Sequence, residues 1–308
     1  MKKLMIINLV LLVLILGGCT NEVEDEKLSV AVSILPQEAF VKGIAGDLVD
    51  VVTLIPPGAS PTNYQPSPQE MSKFSNSKVY FTIGVPTEES NILPMVEDME
   101  EDIILVELED MVDAVYSARY FDDEDHDENQ DEDQDEDHDE DHNHEGRDPH
   151  IWLSPKRVEV MIEVITSTLI ELDPENEEIY KANSQAYIKK LQIVDEEIKE
   201  TVDEMDHKAF IIMHPSLGYF ADDYGLHMVA IEEDGKESSS THLQEVIEYA
   251  VSENINVIFY QAEFDSSQAE TIADEIDGSV IQLDTLSNEY LNNMRTIAEA
   301  LKEGQEGR

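Results

Sequence analysis

From Lys27 onward, short apolar runs alternate with longer stretches whose apolar positions recur at helical spacing. Leu28–Ile34, Val51–Ile55, Val79–Ile83 and Ile103–Val106 read as strands, and Pro36–Ala45, Pro68–Ser75 and Ile92–Glu100 carry helical patterns between them. The alternation stops after residue 121. It resumes beyond Pro155, with strands expected at Ala209–Met213, His227–Ile231, Val257–Tyr260 and Val280–Leu283. Strand–helix punctuation of this kind predicts an α/β fold of two lobes, each a mainly parallel sheet flanked by helices.

Between the lobes, Pro155–Leu172 and Pro174–Met205 have helical spacing, the second with Asp173 as N-cap and Pro174 as first helical residue. Its apolar positions include Ile179, Ala182, Ala186, Leu191, Val194, Ile198 and Val202. A helix of about 30 residues rises on the order of 45 Å, long enough to join both lobes as a rigid strut that restricts hinge closure. The alternative is two consecutive helices packed on one lobe. The expected division is a first lobe over residues 28–172, a linking helix over 174–205 and a second lobe over 206–308.

The start of the chain follows a different pattern. Lys2 and Lys3 precede an apolar run from Leu4 to Leu16, then Gly17, Gly18 and Cys19, and the chain turns polar at Asn21. This is the pattern of a lipoprotein signal peptide over residues 1–19, with Cys19 as the lipidation site; the run is short for a bilayer span. A plain membrane anchor or an ordinary secretory signal are the other readings. The expected location is extracytoplasmic, held to the cell membrane by lipid. Cys19 is the only cysteine, so no disulfide framework is available and the core must supply the stability.

Charge narrows the choice of ligands. The 308 residues carry 70 acidic against 19 basic side chains, a formal net charge of −51. Cations are attracted, while nucleic acid and anionic substrates are poor partners. Residues 122–145 hold 16 acids and no base, and removing those charges still leaves −35 on the rest of the chain. Adaptation to salt or simple solubility accounts for acidity spread so widely. Residues 122–145 also contain His126, His138, His142 and His144, four of the nine histidines, with no apolar residue to build a core. Imidazole and carboxylate both bind divalent zinc, nickel, copper or manganese, so the segment reads as a weak ion collector, with an incidental solvating loop as the bland alternative.

Three residues outside that segment stand where a cleft site needs them. His150 follows Pro149 just before a helix; His214 and Asp284 each follow a predicted strand of the second lobe, and ligands of open α/β sheets bind at the carboxyl ends of strands. Two imidazoles and a carboxylate converging from two lobes could hold one cation. His227 and His242 sit at a strand start and beside a Ser/Thr helix cap, and His207 at a helix end, all places with ordinary structural explanations. Glu263 borders the expected cleft without being assigned as a ligand.

The segments Pro57-Gly58-Ala59-Ser60-Pro61, Asp148-Pro149-His150-Ile151-Trp152-Leu153-Ser154-Pro155, His214-Pro215 with Gly218-Tyr219-Phe220, and Leu283-Asp284 resemble, in order and spacing, the TroA/ZnuA-like metal receptors of zinc/manganese ABC importers. The resemblance runs from about Leu28 to the final helix. It implies two α/β lobes bridged by a long helix, a metal site in the cleft and, in zinc-handling members, a His/acid-rich loop placed as residues 122–145 are. By the same resemblance His150, His214 and Asp284 occupy ligand positions. The chain departs from the pattern at Thr62, which stands at the family's first histidine position; water, a loop histidine such as His142 or His144, or a drift in metal preference are the possible consequences.

The expected function is thus a monomeric receptor, not an enzyme, that captures Zn2+ and delivers it to an ABC permease and its ATPase. Mn2+ is the alternative ligand. A secreted metalloenzyme lacks support: no His-Glu-x-x-His helix, Gly-x-Ser-x-Gly elbow or phosphate loop occurs. A surface metal-buffering or adhesion lipoprotein would keep the acidic segment and signal but need no paired-lobe cleft.

Overall fold

The computed structural model describes residues 27–97, 99, 103–121, 146–232 and 238–306. The expected signal segment with Cys19, and the segment holding His126, His138, His142 and His144, lie outside them. Among the described residues no helix is long and apolar enough to cross a membrane.

The first sheet contains β1 (Leu28–Val32), β2 (Val49–Thr53), β3 (Val79–Thr82) and β4 (Ile104–Glu107), all parallel, in the order β2-β1-β3-β4. The second contains β5 (Ala209–Ile212), β6 (His227–Ala230), β7 (Val257–Gln261) and β8 (Ser279–Leu283), also parallel, in the equivalent order β6-β5-β7-β8. Parallel neighbours need crossover connections, and the chain supplies them. Helices α1 (Leu35–Ala45), α2 (Pro68–Phe74), α3 (Leu93–Glu97) and α4 (Leu108–Asp113) serve the first sheet. Helices α7 (Gly218–Tyr224), α8 (Ser240–Glu253), α9 (Ser267–Glu275) and α10 (Tyr290–Glu306) serve the second.

Between the sheets run α5 (Pro155–Leu172) and α6 (Glu177–Asp203). The 27 residues of α6 rise about 40 Å. Its buried face is the stripe Tyr180, Ser184, Tyr187, Leu191, Val194, Ile198 and Val202, and it packs on α1 and α5 as well as on α7 and α10. It therefore touches helices of both sheets, as a strut must.

Two details of the strut differ from the sequence reading. Residues Pro174–Asn176 form a separate 3-10 turn, and Asp173, instead of capping the backbone, accepts hydrogen bonds from the Asn176 amide (2.7 Å) and the Tyr180 hydroxyl (2.6 Å). In the first half of α6 the core face consists of Tyr180, Ser184 and Tyr187, while Ile179, Ala182 and Ala186 are exposed. The tyrosine rings supply far more area than the alanines, so the helix turns by one residue to bury them. Tyr187 packs edge-on against Phe40, and its ring passes so near α1 that a Cβ on Gly43 would lie 2.5 Å from it.

Alternation along the strands divides the core. Val30 and Val32 of β1 and Phe210 and Ile212 of β5 face one continuous cluster that includes Leu191, Val194 and Ile198 of the strut. Their intervening neighbours face outward into smaller clusters: Ala31 joins Phe74 and Tyr80 under α2 and α3, and Ile211 joins Val246 and Ile272 under α8 and α9. Each sheet is thus buried on both sides, which is why its inner strands read as unbroken apolar runs. In each, strand order reverses beside the first strand, between β1 and β3 and between β5 and β7. Crevices at the carboxyl ends of strands open at such reversals.

Candidate metal centre

A cavity of about 380 Å³ opens there between the sheets. The loop after β3 brings Gly84, Val85 and Glu88 to its wall, the loop after β5 brings His214, and the loops after β7 and β8 bring Glu263, Phe264, Thr285 and Leu286. His150 and Trp152 complete the wall from the segment ahead of α5.

His150 is placed by the Asp148–Pro155 block. Asp148 is fully buried; its Oδ1 accepts from the His150 backbone N–H (3.0 Å) and faces His150 Nδ1 at 2.7 Å. Its other oxygen lies 3.2 Å from Arg119 Nε, an ion pair without hydrogen-bond alignment. Tyr219 on α7 accepts from the Arg119 backbone N–H and donates to the Asp148 carbonyl, at 2.9 and 3.0 Å. Gly218 admits this approach, since a Cβ there would meet Arg119 Nε at 2.2 Å and Asp148 Oδ2 at 2.7 Å. Further along the block, Trp152 Nε1 donates to the Thr285 carbonyl (2.8 Å), Tyr290 donates to the Trp152 carbonyl (2.8 Å), and Ser154 donates to Asp223 (2.5 Å). The Trp152 and Ser154 side chains and the Asp148 and Trp152 carbonyls thus tie the block to the second lobe.

His214 directly follows β5 and Met213. Its Nδ1 faces Glu232 Oε2 at 2.7 Å and its ring stacks on Phe264, with centroids 4.2 Å apart and planes 18° from parallel. The two imidazoles meet edge to face, with centroids 5.1 Å apart. A carboxylate only accepts, so in the neutral tautomer each Nδ1 carries the ring proton and Nε2 holds the lone pair. This is how metal-binding histidines are oriented by outer carboxylates. Burial also holds the His214 pKa below the usual imidazole range, with Glu232 opposing and His150 adding to that effect. The ring is therefore neutral and able to coordinate near neutral pH.

The other expected positions are arranged differently. Thr62 lines the cavity, exposed at its edge, with its backbone N–H on Ser60 Oγ (3.2 Å). Asp284 is exposed and its Oδ1 accepts from the Leu286 N–H at 3.0 Å; the cavity wall is formed by its neighbours Thr285 and Leu286 and not by Asp284. Among the described residues no three of His, Cys, Asp or Glu converge closely enough to hold a metal ion. His207, His227 and His242 stand away from the cavity; His242 Nε2 lies 3.0 Å from the Ala230 carbonyl and its N–H is capped by Ser239.

The sequence reading missed the orienting carboxylates Asp148 and Glu232 and a buried acidic pair in the wall. Glu88 reaches back from a π-helical turn to accept from the N–H groups of Ile83, Gly84 and Val85 and from Ser33. Glu109 accepts from Thr82 Oγ1 at 2.9 Å. Burial pushes Glu88 up to about 7; burial and then the charge of Glu88 push Glu109 up to about 8. Arg147 binds Asp113 through Nε and Nη2 at 3.0 and 2.8 Å, while its buried Nη1 has no hydrogen-bond partner beside them. Glu109 and Glu232 both follow strands closely, so the carboxyl-end rule that found His214 also pointed at them. Phe121 and Gly146, which flank residues 122–145 in the sequence, both line the cavity, and the Phe121 N–H donates to the Gly146 carbonyl at 2.9 Å.

Fold and site together define a two-lobed α/β binding protein whose cleft presents paired, oriented imidazoles. The chain belongs to the ZnuA family: the model described as zinc-uptake complex component A, periplasmic, matches residues 30–304. It is 30% identical to the high-affinity zinc uptake system protein ZnuA of Bacillus subtilis over 315 aligned positions, covering 94% of this chain and 93% of that protein. It is 29% identical to the zinc-binding lipoprotein AdcA of Streptococcus pneumoniae, where the match covers all of this chain but 62% of that longer protein. Among solved structures, a ZnuA deletion mutant with zinc bound superposes with a TM-score of 0.78 at 29% identity, over 91% of this chain and 98% of that one. The periplasmic zinc-binding protein TroA of Treponema pallidum, at 16% identity and a TM-score of 0.75 over 91% of this chain and 99% of that one, shares the fold.

Proposed function

We propose that this protein is the extracytoplasmic receptor of a zinc importer: it captures Zn2+ in the cleft and delivers it to an ABC permease driven by its ATPase. The observation that carries this reading is the pair His150 and His214, buried in one cavity with Nδ1 held by Asp148 and Glu232 and both Nε2 lone pairs free. Two imidazoles favour zinc over manganese, which prefers carboxylate and water. Asp284, or another carboxylate of the cleft, completes the donor set, with Thr62 leaving the family's first histidine position to water or to a loop histidine. The segment 122–145 gathers cations, and its described neighbours Phe121 and Gly146 line the cavity. Lipid on Cys19 keeps the receptor beside its permease as a monomer. A binding module of this kind performs no turnover. Calorimetric titration with Zn2+ and Mn2+ tests the reading: one tight zinc site per chain is expected, and several weak sites lost on deleting residues 122–145 would favour the buffering lipoprotein instead.

A further inference from the structure

We infer that Arg119 is the positioning residue that sets the His150 ring against the His214 ring. The inference rests on the zinc-receptor reading and adds to its site a residue that acts through Asp148. His150 takes its direction from that carboxylate, whose Oδ1 accepts from the His150 backbone N–H and faces Nδ1. Asp148 is fully buried, and a buried carboxylate needs a fixed counter-charge. Arg119 supplies one: its Nε lies 3.2 Å from Asp148 Oδ2, and its carbonyl accepts from the Asp148 backbone N–H at 2.8 Å. Side chain and main chain of one residue thus hold both ends of Asp148.

The same residue reaches the second lobe. Its Nη1 donates to Asp222 Oδ2 at 2.8 Å and its backbone N–H donates to the Tyr219 hydroxyl at 2.9 Å, both on α7. Tyr219 in turn donates to the Asp148 carbonyl, which closes a ring of contacts around Arg119. Helix α7 starts at Gly218, just beyond the loop that carries His214. A connected path therefore runs from His214 through α7 and Arg119 to Asp148 and His150, and it fixes one imidazole relative to the other. Of the two ion pairs, the one with Asp148 carries the weight, because the Asp222 side chain is 55% exposed and screened by water. Arginine suits the place: its planar fork presents Nε to one carboxylate and Nη1 to the other, which the single ammonium of lysine does not reproduce.

The test uses the full chain and its variants Arg119→Met, Arg119→Lys, Asp148→Asn, Arg119→Met combined with Asp148→Asn, and His150→Ala combined with His214→Ala. Zn2+ affinity is measured by competition with a chelator, and the visible bands of the Co2+ adduct report the geometry of the ligands. Arg119→Met keeps the length of the side chain without its charge. It should lose roughly 10–100-fold in zinc affinity, the range for partners that orient ligating histidines, and shift the Co2+ bands. Arg119→Lys should fall between Arg119→Met and the parent. In the Asp148→Asn background, Arg119→Met should cost no more than about twofold further, because its effect passes through Asp148. Affinity and Co2+ bands unchanged in Arg119→Met, or losses that add in full to those of Asp148→Asn, would overturn the positioning role and leave the receptor reading intact. Should Arg119→Met fail to fold, Arg119→Lys decides, and parent-like affinity and bands would then overturn the role. Tight zinc binding that survives the loss of both imidazoles would overturn the receptor reading and this inference with it.

Discussion

The imidazoles of His150 and His214 meet edge to face, ring centroids 5.1 Å apart, and each turns Nδ1 to a carboxylate 2.7 Å away. The two carboxylates differ in standing. Asp148 is fully buried and ion-paired to Arg119, whereas Glu232 is partly exposed on the loop after β6. The orientation of both rings is therefore fixed by these carboxylates, which would leave little ordering to be done on binding a cation.

Replacing Glu232 with Gln removes the charge that orients His214 while keeping the size of the side chain. Zinc affinity should fall about 10–100-fold, as for other outer-shell partners of metal-binding histidines, with the fold intact. Chelator competition on the variant measures the fall, and an unchanged affinity would mean that Glu232 does not set the His214 ring.

Gly43 on α1 faces Tyr187 of the strut with no room for a Cβ. Gly43→Ala should destabilise the protein by roughly 1–3 kcal/mol, the usual range for overpacking, read as a lower urea midpoint. Combining it with Tyr187→Leu should cost less than the sum of the single changes, because the two residues share one contact. Strict additivity would contradict the packing described.

Glu88 and Glu109 give stability a pH dependence of definite sign. Both bind protons more tightly folded than unfolded, where the ordinary carboxylate value is 4.5. Between about pH 5 and 8 the native state therefore holds more protons than the unfolded chain, and stability falls as pH rises through that window. Glu109→Gln keeps the Thr82 contact without the charge and should flatten the decline, raising the melting temperature at pH 8 by about 2–4 °C for each kcal/mol recovered. At pH 6 the difference from the parent should shrink, because Glu109 is then largely protonated. Scanning calorimetry across the window checks both statements.

Much of this architecture was legible in the chain. Apolar runs at strand spacing located the eight strands of the described residues to within two residues at either end, the inner strands most plainly because they are buried on both sides. The strut was legible in length but not in face: Tyr180 and Tyr187 outcompeted Ile179, Ala182 and Ala186 for the core through size, which periodicity alone does not weigh. At the site, His150 and His214 were found from their places beside a proline and after a strand. Glu263 was placed at the border of the cleft, where it lies, whereas Glu232 was not singled out although it closely follows β6, because its contact with His214 is made only in the folded chain. Asp284, expected from its position after β8, accepts from the Leu286 N–H.

The most direct test of the zinc-receptor account is a zinc titration of the protein beside its His150→Ala, His214→Ala double variant. One tight site per chain that disappears in the double variant, while the apo protein melts as before, is the predicted result. Tight zinc binding that persists without the two imidazoles would contradict the account.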